Sequence, residues 1–294
     1  MSVISGKRTI FCEGKQEGFD YRLLDRILED LSGERPTIVP GGSKFTFSVF
    51  ARGYFFPNEL GNQEYIVFRD RDFDLEPTFN TQLLELKNKR GKVSALLTHR
   101  TCVENYLLDS NLIDRYWRSK YTEKQENPTS KWGHGNSPGV EAIIAWIESS
   151  ARSLKEYQAV RWALGDLLRL FATAQKLETT WTGGSGKLPS SLTLQECEIE
   201  AKNLIHRFAE AVAPVTQANF ETSLLKYQQR FERADFWQNK DYLIWFHGKD
   251  LQKMMQRQEP RYISLDDFFD WVITQLDITQ YPDLMELRKR IEQL

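Results

Sequence analysis

Acidic residues follow three of the short apolar runs in the first hundred or so residues, and this pattern constrains the fold more than any other feature of the chain. Arg8-Thr9-Ile10-Phe11-Cys12 is closed by Glu13-Gly14. Tyr65-Ile66-Val67-Phe68 leads to Asp70, Asp72 and Asp74, and Val93-Ser94-Ala95-Leu96-Leu97 leads through a short polar stretch to Glu104. Between the runs, Phe19, Leu23, Leu24, Ile27, Leu28 and Leu31 recur at helical spacing. Thr37-Ile38-Val39 is a further strand, and Pro40-Gly41-Gly42 turns the chain into a helix through Phe45, Val49 and Phe50. Strands alternating with helices predict an α/β fold with a parallel sheet flanked by helices. In an open sheet of that kind ligands bind beyond the carboxyl ends of the strands, where these acids fall.

Carboxylates gathered at one edge repel each other, by roughly 4 kcal/mol for an unpaired pair at ~4 Å near a protein surface. A divalent cation removes that cost and supplies chemistry. In Asp70-Arg71-Asp72-Phe73-Asp74 an extended backbone puts the three Asp side chains on one face and Phe73 inward. Either Arg69 and Arg71 or a metal ion then balances the charge. Glu13-Gly14 is either a surface turn or a strand-end carboxylate beside a glycine that admits a phosphate. Glu104 is either a helix-opening acid favoured by the dipole or another member of the edge. Lys249, in Gly248-Lys249-Asp250, is either a solvated helix opener or a cation that stabilises charge on a transferring phosphoryl group.

Beyond Leu108 helical patterns take over. Glu123 to Gly139 reads as a loop, with a long helical region from Ile143 to about Leu177 after it. Trp181 to Lys187 is a flexible break, and helices follow over Leu194–Val212 and Phe220–Phe231. Tyr242-Leu243-Ile244-Trp245-Phe246 reads as a late strand returning to the sheet, with helices opening near Ser264 and at Pro282. The expected division is 1–109 as the sheet domain, 110–239 as a largely α-helical additional domain or insertion, and 240–294 as a segment returning to the sheet with closing helices.

With 39 basic and 41 acidic residues, the net charge of −2 excludes binding to nucleic acid by bulk charge, so any such binding needs a local patch. Lys44, Arg71, Arg115, Arg118 and Lys120 are candidates; Tyr116, Trp117 and Tyr121 interleave with the last three, as stacking on unpaired bases requires. The alternative is an amphipathic helix with a solvated face. Three well-separated cysteines, Cys12, Cys102 and Cys197, exclude C-x-x-C zinc and disulfide frameworks and fit a reducing cytoplasm. No secretory h-region or membrane-length apolar stretch is present. Gly183-Gly184-Ser185-Gly186-Lys187-Leu188 lacks the Walker spacing and its Ser/Thr, which argues against ATP hydrolysis by the chain itself. The dehalogenase-type Asp-x-Asp-x-Thr/Val motif fails at Asp74. His99, His134, His206 and His247 share no metal-ligand spacing; His99 and His247 are candidate supporting groups near strand ends.

The combination Cys12-Glu13-Gly14, Asp70-Arg71-Asp72-Phe73-Asp74, Glu104-Asn105-Tyr106-Leu107-Leu108 and Gly248-Lys249 resembles the Toprim-fold nucleases. It is similar in particular to the OLD-like group that serves the PARIS anti-phage system. The resemblance covers Arg8 to about Leu108 and Tyr242 to Leu251. It implies a Toprim-like sheet with a helical addition, and a cytoplasmic endonuclease that cuts RNA, with tRNA the first candidate, or DNA. It implies catalytic roles for Glu13, Asp70, Asp72 and Lys249. One or two Mg²⁺ ions, or Mn²⁺, would be held by Glu13, Asp70, Asp72 and Glu104, with Asp72 and Asp74 as the alternative metal pair. Glu13 is alternatively a general base. An ABC- or OLD-type ATPase subunit is the implied controlling partner, a homodimer is compatible with the aromatic helical region, and no membrane partner is expected. The competing expectation is a non-catalytic sensor or scaffold.

Overall fold

The computed structural model describes residues 8–29, 31, 33–42, 64–87, 91–127, 129–170, 191–211 and 215–294. The chain divides into two compact units. The sheet unit comprises Met1–Arg71, Pro77–Val103 and Val272–Leu294; the helical unit comprises Asp72–Glu76 and Glu104–Trp271. In chain order the elements are β1 (Arg8–Cys12), α1 (Phe19–Ile27), β2 (Thr37–Pro40), β3 (Glu64–Arg69), β4 (Leu84–Lys87), β5 (Val93–Leu97), α2 (Glu104–Leu107), α3 (Ser110–Glu126), α4 (Val140–Leu170), α5 (Leu194–Ala211), α6 (Gln217–Glu232), α7 (Ala234–Gln238), α8 (Tyr242–Trp245), α9 (Gly248–Gln258), α10 (Leu265–Val272) and α11 (Pro282–Glu292).

The sheet has the order β2-β1-β3-β5-β4. β1 pairs in parallel with β2 and β3, and β3 in parallel with β5, while β4 runs antiparallel at the edge. An α/β architecture with a mostly parallel sheet and flanking helices is therefore established. Ile10, Phe11 and Cys12 are all fully buried, a continuous run that marks a central strand covered on both faces. α1 turns Leu23, Leu24 and Ile27 inward. α11 opens with Pro282, whose missing N–H costs nothing in a first turn, and buries Leu284, Leu287 and Ile291 at helical spacing. The expected strands at Arg8, Thr37, Tyr65 and Val93 all form. The periodicity did not yield β4, which is four residues long and carries a register irregularity at Leu86/Lys87. The expected helix through Phe45, Val49 and Phe50 lies outside the described residues.

The helical unit is organised around α4, whose 31 residues span about 46 Å at 1.5 Å per residue. Trp146 and Trp162 on α4 donate their indole N–H groups to Met255 O and Trp245 O, both at 2.9 Å, so large aromatic surface is buried without leaving a polar atom unpaired. α3 begins at Asp109, which accepts from the Asn111 and Leu112 amides. Tyr242–Phe246 forms no strand: Tyr242–Trp245 is a helical turn within this unit. An apolar run of this length does not distinguish a strand from a buried helical turn. The chain re-enters the sheet unit only at Val272. None of the described helices is long and apolar enough to cross a membrane.

Candidate functional site

In the sheet unit the acids are placed by backbone topology. From β1 the chain goes to β2 on one side and later to β3 on the other, so strand order reverses beside β1. This is a topological switch point, the usual ligand crevice of an open parallel sheet. Cys12 is in register with Phe68, so Glu13 and Asp70 leave neighbouring strands at the same edge. Gly14 takes φ 82° and Gly42 φ 81°, values that disfavour side chains. Their amides and carbonyls exchange hydrogen bonds of 2.7 and 3.0 Å, tying the loop after β1 to the loop after β2. Glu13 is half-buried. Burial first, then the charges of Asp20 and Glu13, push the Cys12 thiol up to about 12.

Asp70 is buried, and its Oδ1 accepts from the Val103 amide at 2.9 Å. A carboxylate oxygen of Asp70 and the Cys102 sulfur lie within 4.8 Å of each other. Arg71 corrects the sequence expectation. It is fully buried, its amide donates to Thr98 Oγ1 at 3.0 Å, and its Nε donates to His99 O at 3.0 Å. It braces the strand-end loop and does not offer its guanidinium to a nucleic acid. His99 is also internal: its amide donates to Asp283 Oδ2 at 3.0 Å, and burial lowers its ring pKa to about 4.

In the helical unit the acids are held by side chains. Asp72 has φ 49° and opens a turn, so the backbone is not extended through Asp74 and the expected three-Asp face does not form. Asp72 Oδ1 lies 3.1 Å from His247 Nε2, and Asp74 is half-buried in the same turn. Phe73 is buried, as expected, with its ring beneath the Arg161 guanidinium at 4.3 Å and edge-on to Trp162. Glu104 opens α2, and its Oε1 lies 3.5 Å from Lys249 Nζ. Its Oε2 is buried and accepts no hydrogen bond from the described residues.

His247 caps α9 by accepting the Lys249 amide on Nδ1 at 3.3 Å. Asn105 grips the preceding turn, donating to Phe246 O at 2.9 Å and accepting from the Gly248 amide at 3.0 Å. Gln158 accepts from the His247 amide and donates to Asp250 Oδ2 at 2.7 Å. Asp250 is ion-paired with Arg161, both fully buried. Burial holds the His247 ring below the ordinary histidine range, against the pull of Asp72.

The aromatic-cationic helix resolves into its bland form. Tyr116 and Trp117 are core residues and unavailable for stacking on bases. Arg115 lies over the Trp271 ring, Arg118 pairs with Asp114 at 2.8 Å, and Lys120 pairs with Glu123 at 2.9 Å. Lys44 lies outside the described residues. Sequence reasoning gave no role to Asn105, Gln158, Arg161 or Asp250, and it left His247 without a partner. The one local signal was the His-Gly pair before a helix, since a cap at His247 orients its ring. No protein-family model matches the chain. No curated protein matches it either.

Proposed function

We propose that the protein is a divalent-metal-dependent phosphodiesterase, an endonuclease with a Toprim-like sheet. The observation that carries the reading is the pair Glu13 and Asp70 at the switch point of a parallel sheet. The donor set fits a hard cation, which takes carboxylate oxygens. Glu13 and Asp70 would hold it, and when bound it would activate water and stabilise charge on a phosphoryl oxygen. The Val103 amide fixes the Asp70 carboxylate. Gly14 and Gly42 carry no side chain at the point where the two loops are hydrogen-bonded, as close approach of a phosphate requires. Asp72, Glu104 and Lys249 belong to the reading through the sequence motif. The same resemblance extends the proposal to RNA, with tRNA first, or DNA as substrate, and to an ATPase partner in anti-phage defence.

The test is cleavage of labelled RNA and DNA by the purified protein with Mg²⁺ or Mn²⁺. Chelation should stop it. Glu13→Gln and Asp70→Asn, which keep shape and hydrogen-bonding capacity, should each slow it on the order of 100-fold or more while leaving thermal unfolding in place. Variants that cut as well as the wild type would reject the assignment. Hydrolysis of a simple aryl phosphate with none of nucleic acid would make the protein a phosphatase instead.

A further inference from the structure

His247 lies in a turn whose every backbone neighbour is held. Asn105 bonds both Phe246 O and the Gly248 amide, Gln158 accepts the His247 amide, and the Arg161–Asp250 pair anchors Gln158. The ring is 1 % exposed and stacks on Phe73 with centroids 6.1 Å apart. Such enclosure leaves one ring orientation. At Nδ1 the partner is the Lys249 amide, which can only donate, so Nδ1 is an acceptor and carries no proton in the neutral ring. The remaining hydrogen is then on Nε2, 3.1 Å from Asp72 Oδ1. The Lys249 backbone amide thus sets the acceptor role of Nδ1, and the Nε2 hydrogen falls to the Asp72 carboxylate.

We propose that His247 is the positioning residue of Asp72: its Nε2–H fixes the carboxylate in one orientation. Asp72 sits at φ 49° in a turn, where no sheet ladder restrains it, and its side chain is 14 % exposed. The proposal rests on the phosphodiesterase reading for its purpose, through the metal pair Asp72 and Asp74 that the sequence offers, and on the hydrogen-bond geometry for its substance.

The experiment has a structural arm and a functional arm. Nitrogen-15 NMR of the imidazole in the full chain should show His247 protonated on Nε2; protonation on Nδ1 alone would overturn the proposal. His247→Gln can present an amide N–H at the Nε2 position, whereas His247→Asn keeps an acceptor for the Lys249 amide but cannot reach Asp72. Both should keep the wild-type circular dichroism spectrum below the melting transition, with a lower melting point for the smaller Asn. His247→Asn should weaken Mn²⁺ binding, read by electron paramagnetic resonance, by about 10-fold or more. It should also lower kcat more than it raises KM, and His247→Gln should recover most of both. Equal Mn²⁺ affinity in the wild type and both variants would overturn the proposal. If Glu13→Gln leaves hydrolysis intact, the phosphodiesterase reading fails, while the tautomer and Mn²⁺ measurements still decide the role of His247. If Glu13→Gln abolishes hydrolysis and His247→Asn does not change it, the positioning role fails alone.

Discussion

The two units place their acidic residues by different means. Glu13 and Asp70 stand where parallel strands end, and their positions follow from backbone pairing that many side chains would tolerate. Asp72 and Glu104 are oriented by particular partners, His247 and Lys249, on a helix whose start is locked by Asn105, Gln158 and Asp250. Positions set by backbone pairing resist single substitutions, whereas positions set by a buried polar network depend on each member being satisfied.

The widest gap between the units should open at Asp250→Ala. It leaves Arg161 charged, fully buried and without its ion pair, which costs about 3–5 kcal/mol, read as a lower urea midpoint. A loss under ~1 kcal/mol would mean the network is not the chief brace of the helical unit. The sheet unit's largest sensitivity should be to acid. The folded His99 has a pKa of about 4 against 6.5 for the ordinary ring, so its contribution is complete above pH 6.5 and is lost as pH falls towards 4. The loss approaches about 3 kcal/mol, and His99→Gln should flatten that part of the stability–pH curve relative to the wild type. Next comes Gly165→Ala on α4. The new Cβ would lie 2.8 Å from Phe73 Cβ and 3.1 Å from Phe73 O, so overpacking should cost about 1–3 kcal/mol by urea titration and displace the turn that holds Asp72. The smallest effect should be Gly14→Ala. Space is open, the nearest atom being Asp20 Oδ2 at 3.8 Å, but φ 82° strains any side chain by roughly 1–2 kcal/mol. A neutral Gly14→Ala would show that the loop after β1 relaxes freely.

The four parallel strands were legible because each is an apolar run with turn residues beside it. The edge that gathers Glu13 and Asp70 was legible for the same reason. β4 was not, because an antiparallel edge strand needs little apolar content. Tyr242–Phe246 misled because a short buried helical turn has the same composition as a strand. The alternation of Asp70, Asp72 and Asp74 misled because a positive φ at Asp72 breaks the period of two, and nothing in the motif marks it. The His247–Asp72 contact joins residues 175 apart in the chain, a pairing that spacing rules do not reach.

Each unit also contains its own reporter of opening. Cys12 and Cys102 are buried in one and Cys197 in the other, and burial drives the Cys12 and Cys197 thiols up to about 12. A folded molecule therefore presents almost no thiolate to an alkylating reagent, and modification at these two positions must await local exposure. Timed alkylation with mass mapping would clock the breathing of each part separately, without introducing a label.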